Sequence, residues 1–130
     1  MIEFLAGEGA GAARSAMPLS HATRAGDFVF VSGQVPTDEA GAIVWGNVET
    51  QTRLVMDKVG KVLAAAGCGF ADIVKSNVFL ADARDFVAFN AVYASYFEPG
   101  KRPARTTIQA ILAIDIRVEI DVIAYAPAKG

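Results

Sequence analysis

The chain has 130 residues, 53% of them apolar, and carries 12 Lys+Arg against 14 Asp+Glu for a net charge of −2. That length suits a single domain, 1–130, with its own core. The acidic balance argues against nucleic acid as a partner, because phosphate binding needs clustered Lys and Arg. The mean hydropathy of +0.35 is high, yet no apolar run reaches the roughly 20 residues of a membrane span. A subunit interface is the expected place for the surplus, so a homo-oligomer is expected and a membrane is not. Cys68 stands alone, which rules out an internal disulfide and suits a reducing compartment. The first residues lack a basic start followed by an apolar block, so a cytoplasmic protein is expected.

Ile2 to Leu5 reads as a short strand. Residues 1–17 include a Gly/Ala-rich stretch expected to be partly flexible. Gly7-Glu8-Gly9-Ala10-Gly11-Ala12 formally fits a dinucleotide fingerprint. It lacks the long strand before it, the helix after it and the acidic residue about 20 positions on, so a loop is the better reading. Leu19 to Ala25 and Phe28 to Val35 read as strands joined by a turn at Gly26-Asp27. The second is apolar on both faces and is expected to be buried on both. Ala42 to Trp45 offers a short return strand. Asn47 caps a helix through Ala66 whose stripe is Thr52, Val55, Met56, Val59, Val62, Leu63 and Ala66, with Gln51, Arg53, Asp57, Lys58 and Lys61 facing away. Gly60 within it predicts close packing, and Gly67 stops it.

Asp72 to Leu80 is the next strand, and Asp82 caps a helix that Pro99-Gly100 ends. On this helix Phe86, Phe89, Tyr93 and Phe97 share a stripe with Asn90. Two strands complete the chain, both with period two. In the last, Ile116, Val118, Ile120, Val122 and Ala124 oppose Arg117, Glu119 and Asp121. In the one before, Thr106, Ile108 and Ala110 oppose Arg105, Thr107 and Gln109. Adjacent strands then bring an arginine, a hydroxyl, an amide and a carboxylate to their less apolar faces. The order β-β-β-α-β-α-β-β predicts an α+β domain with both helices on one face of a mixed sheet.

One His and one Cys do not build a zinc site, and no metal is expected. His21 reads as structural, with a spatial triad left open. Cys68 has no basic neighbour to activate it. Arg105 needs a partner for its guanidinium: a ligand carboxylate, or an ion pair with Glu119 or Asp121 across the sheet. Glu119 is either that ion-pair partner or an activator of water. Thr107 is by default a strand-former, and Asn90 among aromatic residues is expected to tie backbone together.

Val31-Ser32-Gly33-Gln34-Val35-Pro36, Phe89-Asn90-Ala91-Val92-Tyr93, Arg102-Pro103-Ala104-Arg105 and Val118-Glu119-Ile120-Asp121 together resemble the Rid family of reactive-intermediate deaminases, the RidA/YjgF type. The resemblance covers most of the chain from about residue 18 onward. It implies a chorismate-mutase-like fold and a homotrimer whose sheets line a central barrel, with ligand clefts between subunits. It also implies cofactor-free hydrolysis of enamine and imine carboxylates to 2-keto acids and ammonia. By this resemblance Arg105 holds the substrate carboxylate and Glu119 activates water, while Ser32, Thr107 and Asn90 line the pocket.

Two departures bear on the substrate. Leu19 stands where the family often has tyrosine, and Thr107 where it often has cysteine. His21, two residues on, is expected to share Leu19's strand face and replace the lost polar contact. The turn between Arg105 and Glu119 is also shorter than usual. A 2-aminoacrylate-type deaminase is the first reading and a 2-aminomuconate-type deaminase of aromatic catabolism the second. A non-catalytic binding or chaperone-like trimer is the reading from another class. Endoribonuclease activity, claimed for some relatives, fits an acidic chain poorly.

Overall fold

A computed structural model of the chain describes residues 1–5 and 17–127. The Gly7–Ala12 stretch lies outside the described residues. Among those described, the strands are β1 Glu3–Leu5, β2 Ala22–Ala25, β3 Phe28–Gln34, β4 Ile73–Leu80, β5 Ala104–Gln109 and β6 Val118–Tyr125, and the helices are α1 Val48–Ala65 and α2 Phe86–Ala94. The strands lie side by side as β1-β2-β3-β6-β4-β5. β4 and β5 run parallel and every other neighbouring pair antiparallel. This is the expected α+β class in the expected order.

β3 and β4 both run antiparallel to β6 and hence parallel to each other, so α1 and α2 are each a crossover between parallel strands. Both crossovers step the same way across the sheet. The right-handed rule for such connections then lays both helices on one face. Val29, Val31, Val78, Leu80, Val118, Ile120, Val122 and Ala124 from the sheet meet Val55, Met56, Val59 and Leu63 of α1 and Phe89 and Tyr93 of α2 in one core. Among the described residues no helix covers the other face. None of the helices among the described residues is long and apolar enough to cross a membrane.

The local signals account for the helix ends. Asn47 Oδ1 accepts from the Thr50 N–H at 2.9 Å. Gly67 takes φ +80, and the following Cys68 N–H reaches back to the Leu63 carbonyl at 2.9 Å, the bond that closes a Schellman turn. Gly60 packs against the Phe70 ring, where a Cβ would come within 2.9 Å. Asp82 Oδ1 caps a 3-10 turn, Ala83–Asp85, which leads into α2. That helix stops at Ala94, before Pro99-Gly100, because the Ser95 hydroxyl takes the Val92 carbonyl at 2.6 Å and the chain continues in tighter turns.

Several expectations need correction. Of the apolar residues of β3 only Val29 and Val31 are buried; Phe28 and Phe30 on its other face are 41% and 42% exposed. Residues 19–21 are not part of β2, which begins at Ala22. The Ala42 to Trp45 stretch supplies a single bridge, Thr37 to Ile43, instead of a strand. Gln51 is buried, not outward: its amide donates to the Val44 carbonyl at 3.0 Å and accepts from the Arg117 N–H at 2.8 Å. Lys58 likewise folds back, donating to the Val35 carbonyl and the Thr37 hydroxyl. In both cases a loop carbonyl outcompetes water for a side chain that reaches past the helix edge.

Candidate functional site

The registers decide which side chains share a face. Arg105 pairs with Ser76, and Ser76 with Val122, so all three point toward the helices. Glu119 pairs with Phe79, three residues on from Ser76, and therefore points to the helix-free face. β4 lies between β5 and β6. Arg105 and Glu119 are thus on opposite faces of non-adjacent strands, and the expected grouping of both on one face is overturned. The reason is topological: β6 enters between β3 and β4, and β5, at the sheet edge, turns Arg105 and Thr107 inward while its more apolar residue Ile108 is 47% exposed on the outer face.

On the helix side Arg105 lies over three rings of α2, with its guanidinium carbon 5.7 Å from the Phe86 centroid, 5.4 Å from Phe89 and 4.9 Å from Tyr93. Aromatic faces hold a cation without neutralising it. Among the described residues no carboxylate pairs with Arg105, so an ion pair with Glu119 or Asp121 is not what holds it; Asp121 instead accepts from Asn77 Nδ2 at 2.8 Å on the outer face. Tyr93 donates to the Ser76 hydroxyl at 2.9 Å. Burial raises its phenol pKa above the usual 10.0, against the opposing pull of that bond and of the Arg105 charge.

Two polar atoms near this platform have no partner among the described residues. Thr107, two positions beyond Arg105 on the same face, has a buried Oγ1 without a hydrogen bond. Asn90 stands one turn after Phe86 and three residues before Tyr93, and its Oδ1 is also buried and unpartnered. Asn90 Oδ1 therefore ties no backbone together, contrary to expectation. A buried polar atom without a partner costs about 1–3 kcal/mol, so this edge is shaped to receive polar groups.

On the helix-free face, β3 bulges between Val31 and Gln34 where it pairs with β6. The extra residue lets Ser32 and Gly33 meet β6 on this side while Gln34 returns to the core, 1% exposed. The Glu119 carboxylate lies directly over Gly33, in the space a Cβ would fill. The Ser32 hydroxyl donates to the Ser20 carbonyl at 2.5 Å. Beside it opens a cleft of about 600 Å³ whose walls include Phe4, Leu19, Phe30 and Ser32. Leu19 lies on the wall of this cleft. His21 is 8% exposed and absent from the cleft wall, because the residues before Ala22 do not continue the strand alternation.

The candidate residues therefore fall into two groups: Arg105, Thr107 and Asn90 on one face, and Glu119, Ser32 and Leu19 on the other. The aromatic platform was visible in the sequence as the stripe of Phe86, Phe89 and Tyr93, but a stripe alone does not say that it carries a cation. Ser76, buried at 0% exposure among the inward Val78 and Leu80, is the polar interruption that marked the position. Phe4 left no signal beyond its place in a short strand.

Comparisons with known proteins agree with this architecture. The family model described as Endoribonuclease L-PSP matches residues 10–126. A RutC family protein of Pyrococcus horikoshii is 43% identical over 110 residues, 83% of this chain and 86% of its own. A mouse protein named 2-iminobutanoate/2-iminopropanoate deaminase is 40% identical over 109 residues, 82% of this chain and 80% of its own. Yeast Mmf1 superposes with a TM-score of 0.89 at 34% identity, covering 97% of this chain and 99% of the other. The Rid family protein YyfA of Yersinia pestis gives 0.89 at 31%, covering 97% and 100%. Matched over nine-tenths of its length by the family model, and closely by named relatives and solved structures, the chain belongs to the Rid/YjgF family, whose members include deaminases of reactive imine intermediates.

Proposed function

We propose that this protein hydrolyses small enamine and imine carboxylates, of the 2-aminoacrylate type, to 2-oxo acids and ammonia, as a homotrimer and without a cofactor. The observation that carries the reading is Arg105: a half-buried guanidinium on an aromatic platform, unpaired among the described carboxylates, beside the unpartnered Thr107 Oγ1 and Asn90 Oδ1. Such a group suits a bidentate carboxylate ligand.

Bound there, the substrate places its C=N carbon next to the anchored carboxylate. An enamine first takes a proton at C3 to become the iminium. Glu119 then removes a proton from water as its oxygen bonds to the C=N carbon, and the C=N π pair moves to nitrogen. The resulting carbinolamine loses ammonia once Glu119 has returned the proton to nitrogen, and the hydroxyl proton leaves as the C=O bond forms. R–C(=NH2⁺)–COO⁻ and water thus give the 2-oxo acid and NH4⁺.

Because Arg105 and Glu119 face opposite ways, one copy cannot present both to one small substrate. A site completed by a second copy resolves this, and the exposed apolar outer face supports association. The acidic balance of the chain fits poorly with the endoribonuclease activity in the family model's description.

Ammonia release from freshly generated 2-aminoacrylate tests the reading. Arg105→Ala and Glu119→Gln are each expected to lower kcat/KM by about 10²-fold or more. Unfolded together and refolded, the two inactive proteins should regain up to about a quarter of wild-type activity, since random mixing leaves that share of interfaces intact. No recovery in verified mixed trimers would place both residues' work within one copy. Unchanged turnover in both variants would take the chemistry away from Arg105 and Glu119, and wild-type release no faster than in buffer would leave a binding role instead.

A further inference from the structure

We propose that the cleft beside Ser32 selects 2-imino acids whose side chain is uncharged, apolar and larger than methyl; this rests on the deaminase reading above. Phe4 of β1 and Phe30 of β3 sit in one row of the helix-free face, separated by Thr23 of β2. They are 71% and 42% exposed, and Leu19 on the segment entering β2 is 42% exposed. All three line the same cleft of about 600 Å³. Three large apolar side chains left open around one cleft gain by being covered, and a ligand's apolar side chain covers them.

The bulge at Ser32 and Gly33 sets the geometry. It brings Glu119 over Gly33, so the reacting carbon belongs at the Ser32 end of the cleft and the side chain extends toward Leu19 and Phe4. Among the described lining residues there is no charged side chain, only apolar groups and the hydroxyls of Ser20, Thr23 and Ser32. A second carboxylate, such as that of 2-aminomuconate or of the imine of glutamate, would lose its water there without gaining a cation. A methyl group would leave most of the cleft unfilled, whereas each further methylene buried is worth about four-fold in affinity.

The test uses 2-imino acids generated in situ by amino-acid oxidases from alanine, leucine, phenylalanine and glutamate, with 2-oxo acid formation as the readout. The leucine and phenylalanine imines are expected to exceed that of alanine by about ten-fold in kcat/KM, and that of glutamate by more. Leu19→Lys should shift the glutamate-to-leucine ratio upward by about ten-fold, because it places a cation on the wall. Equal rates for all four imines, or an unmoved ratio in Leu19→Lys, would overturn the inference while leaving the deaminase reading standing. If no imine turns over faster than in buffer, the deaminase reading fails, and calorimetry on the full protein decides the cleft separately. Tighter binding of 4-methyl-2-oxopentanoate than of 2-oxoglutarate upholds the apolar preference; equal or reversed affinities overturn it.

Discussion

Gly33 shows how much a single residue can set. Its missing Cβ is the room occupied by the Glu119 carboxylate, and the bulge that holds it lies within the Ser32-Gly33-Gln34 segment already conspicuous as a small, polar break after an apolar run. Gly33→Ala would force the carboxylate aside, and the backbone beneath it is pinned by β6. The expected outcome is a folded protein with deaminase kcat/KM lowered about ten-fold or more, since a displacement of about 1 Å is enough to disrupt proton transfer. Steady-state kinetics beside circular dichroism checks this; full activity would show that Glu119 does not work from the position seen. The motif was legible in the sequence, but the reason for the glycine was not, because the group it accommodates lies 86 positions away on another strand.

At the scale of elements, side chains reaching across gaps hold the helices to the rest. Tyr96, just beyond α2, donates to Asp57 Oδ1 of α1 at 2.9 Å. Burial, reinforced by the Asp57 carboxylate, pushes its phenol pKa up to about 12 from the usual 10.0. The folded protein therefore holds this proton more tightly than the unfolded chain. The contribution is fully present below pH 10 and is lost as pH rises from 10 toward 12. Denaturant unfolding across that range should show a fall in stability that is smaller in Tyr96→Phe; identical slopes would remove Tyr96 as the cause. Helix existence, the Asn47 cap and the Gly67 stop were readable because they depend on neighbours within a few residues. Gln51 was misplaced because its position on the helix wheel is polar by composition, while its partners, Val44 and Arg117, come from outside the helix.

For the whole molecule, the sheet's uncovered face is the leading feature. Phe28 and Tyr125 meet on it at a tilt, with centroids 5.4 Å apart, yet they remain 41% and 46% exposed, and Ile108 is 47% exposed at the β5 edge. A patch of this kind fits the proposed association with other copies of the chain. If the proposed trimer forms through this face, Phe28→Lys combined with Ile108→Lys is expected to give monomers by light scattering, with native circular dichroism retained and deaminase activity lost, because the two groups of candidate residues would no longer meet. An active monomer would refute the shared site.

By itself, the sequence determined the class, the order of elements, the apolar stripe of α1 and the alternation of β6, since these follow from local periodicity and from residues that start or stop helices. It also determined, through its motifs, the family, and it supplied the residues that the proposed chemistry uses. Only the tertiary structure decided which face each of those residues occupies. Period two says that Arg105 and Thr107 share a side, as do Glu119 and Asp121, but not which side is covered by helices. That depends on β6 lying between β3 and β4 and on the register of β5. These are long-range pairings, and a shift of one residue would have turned every side chain of the strand to the opposite face.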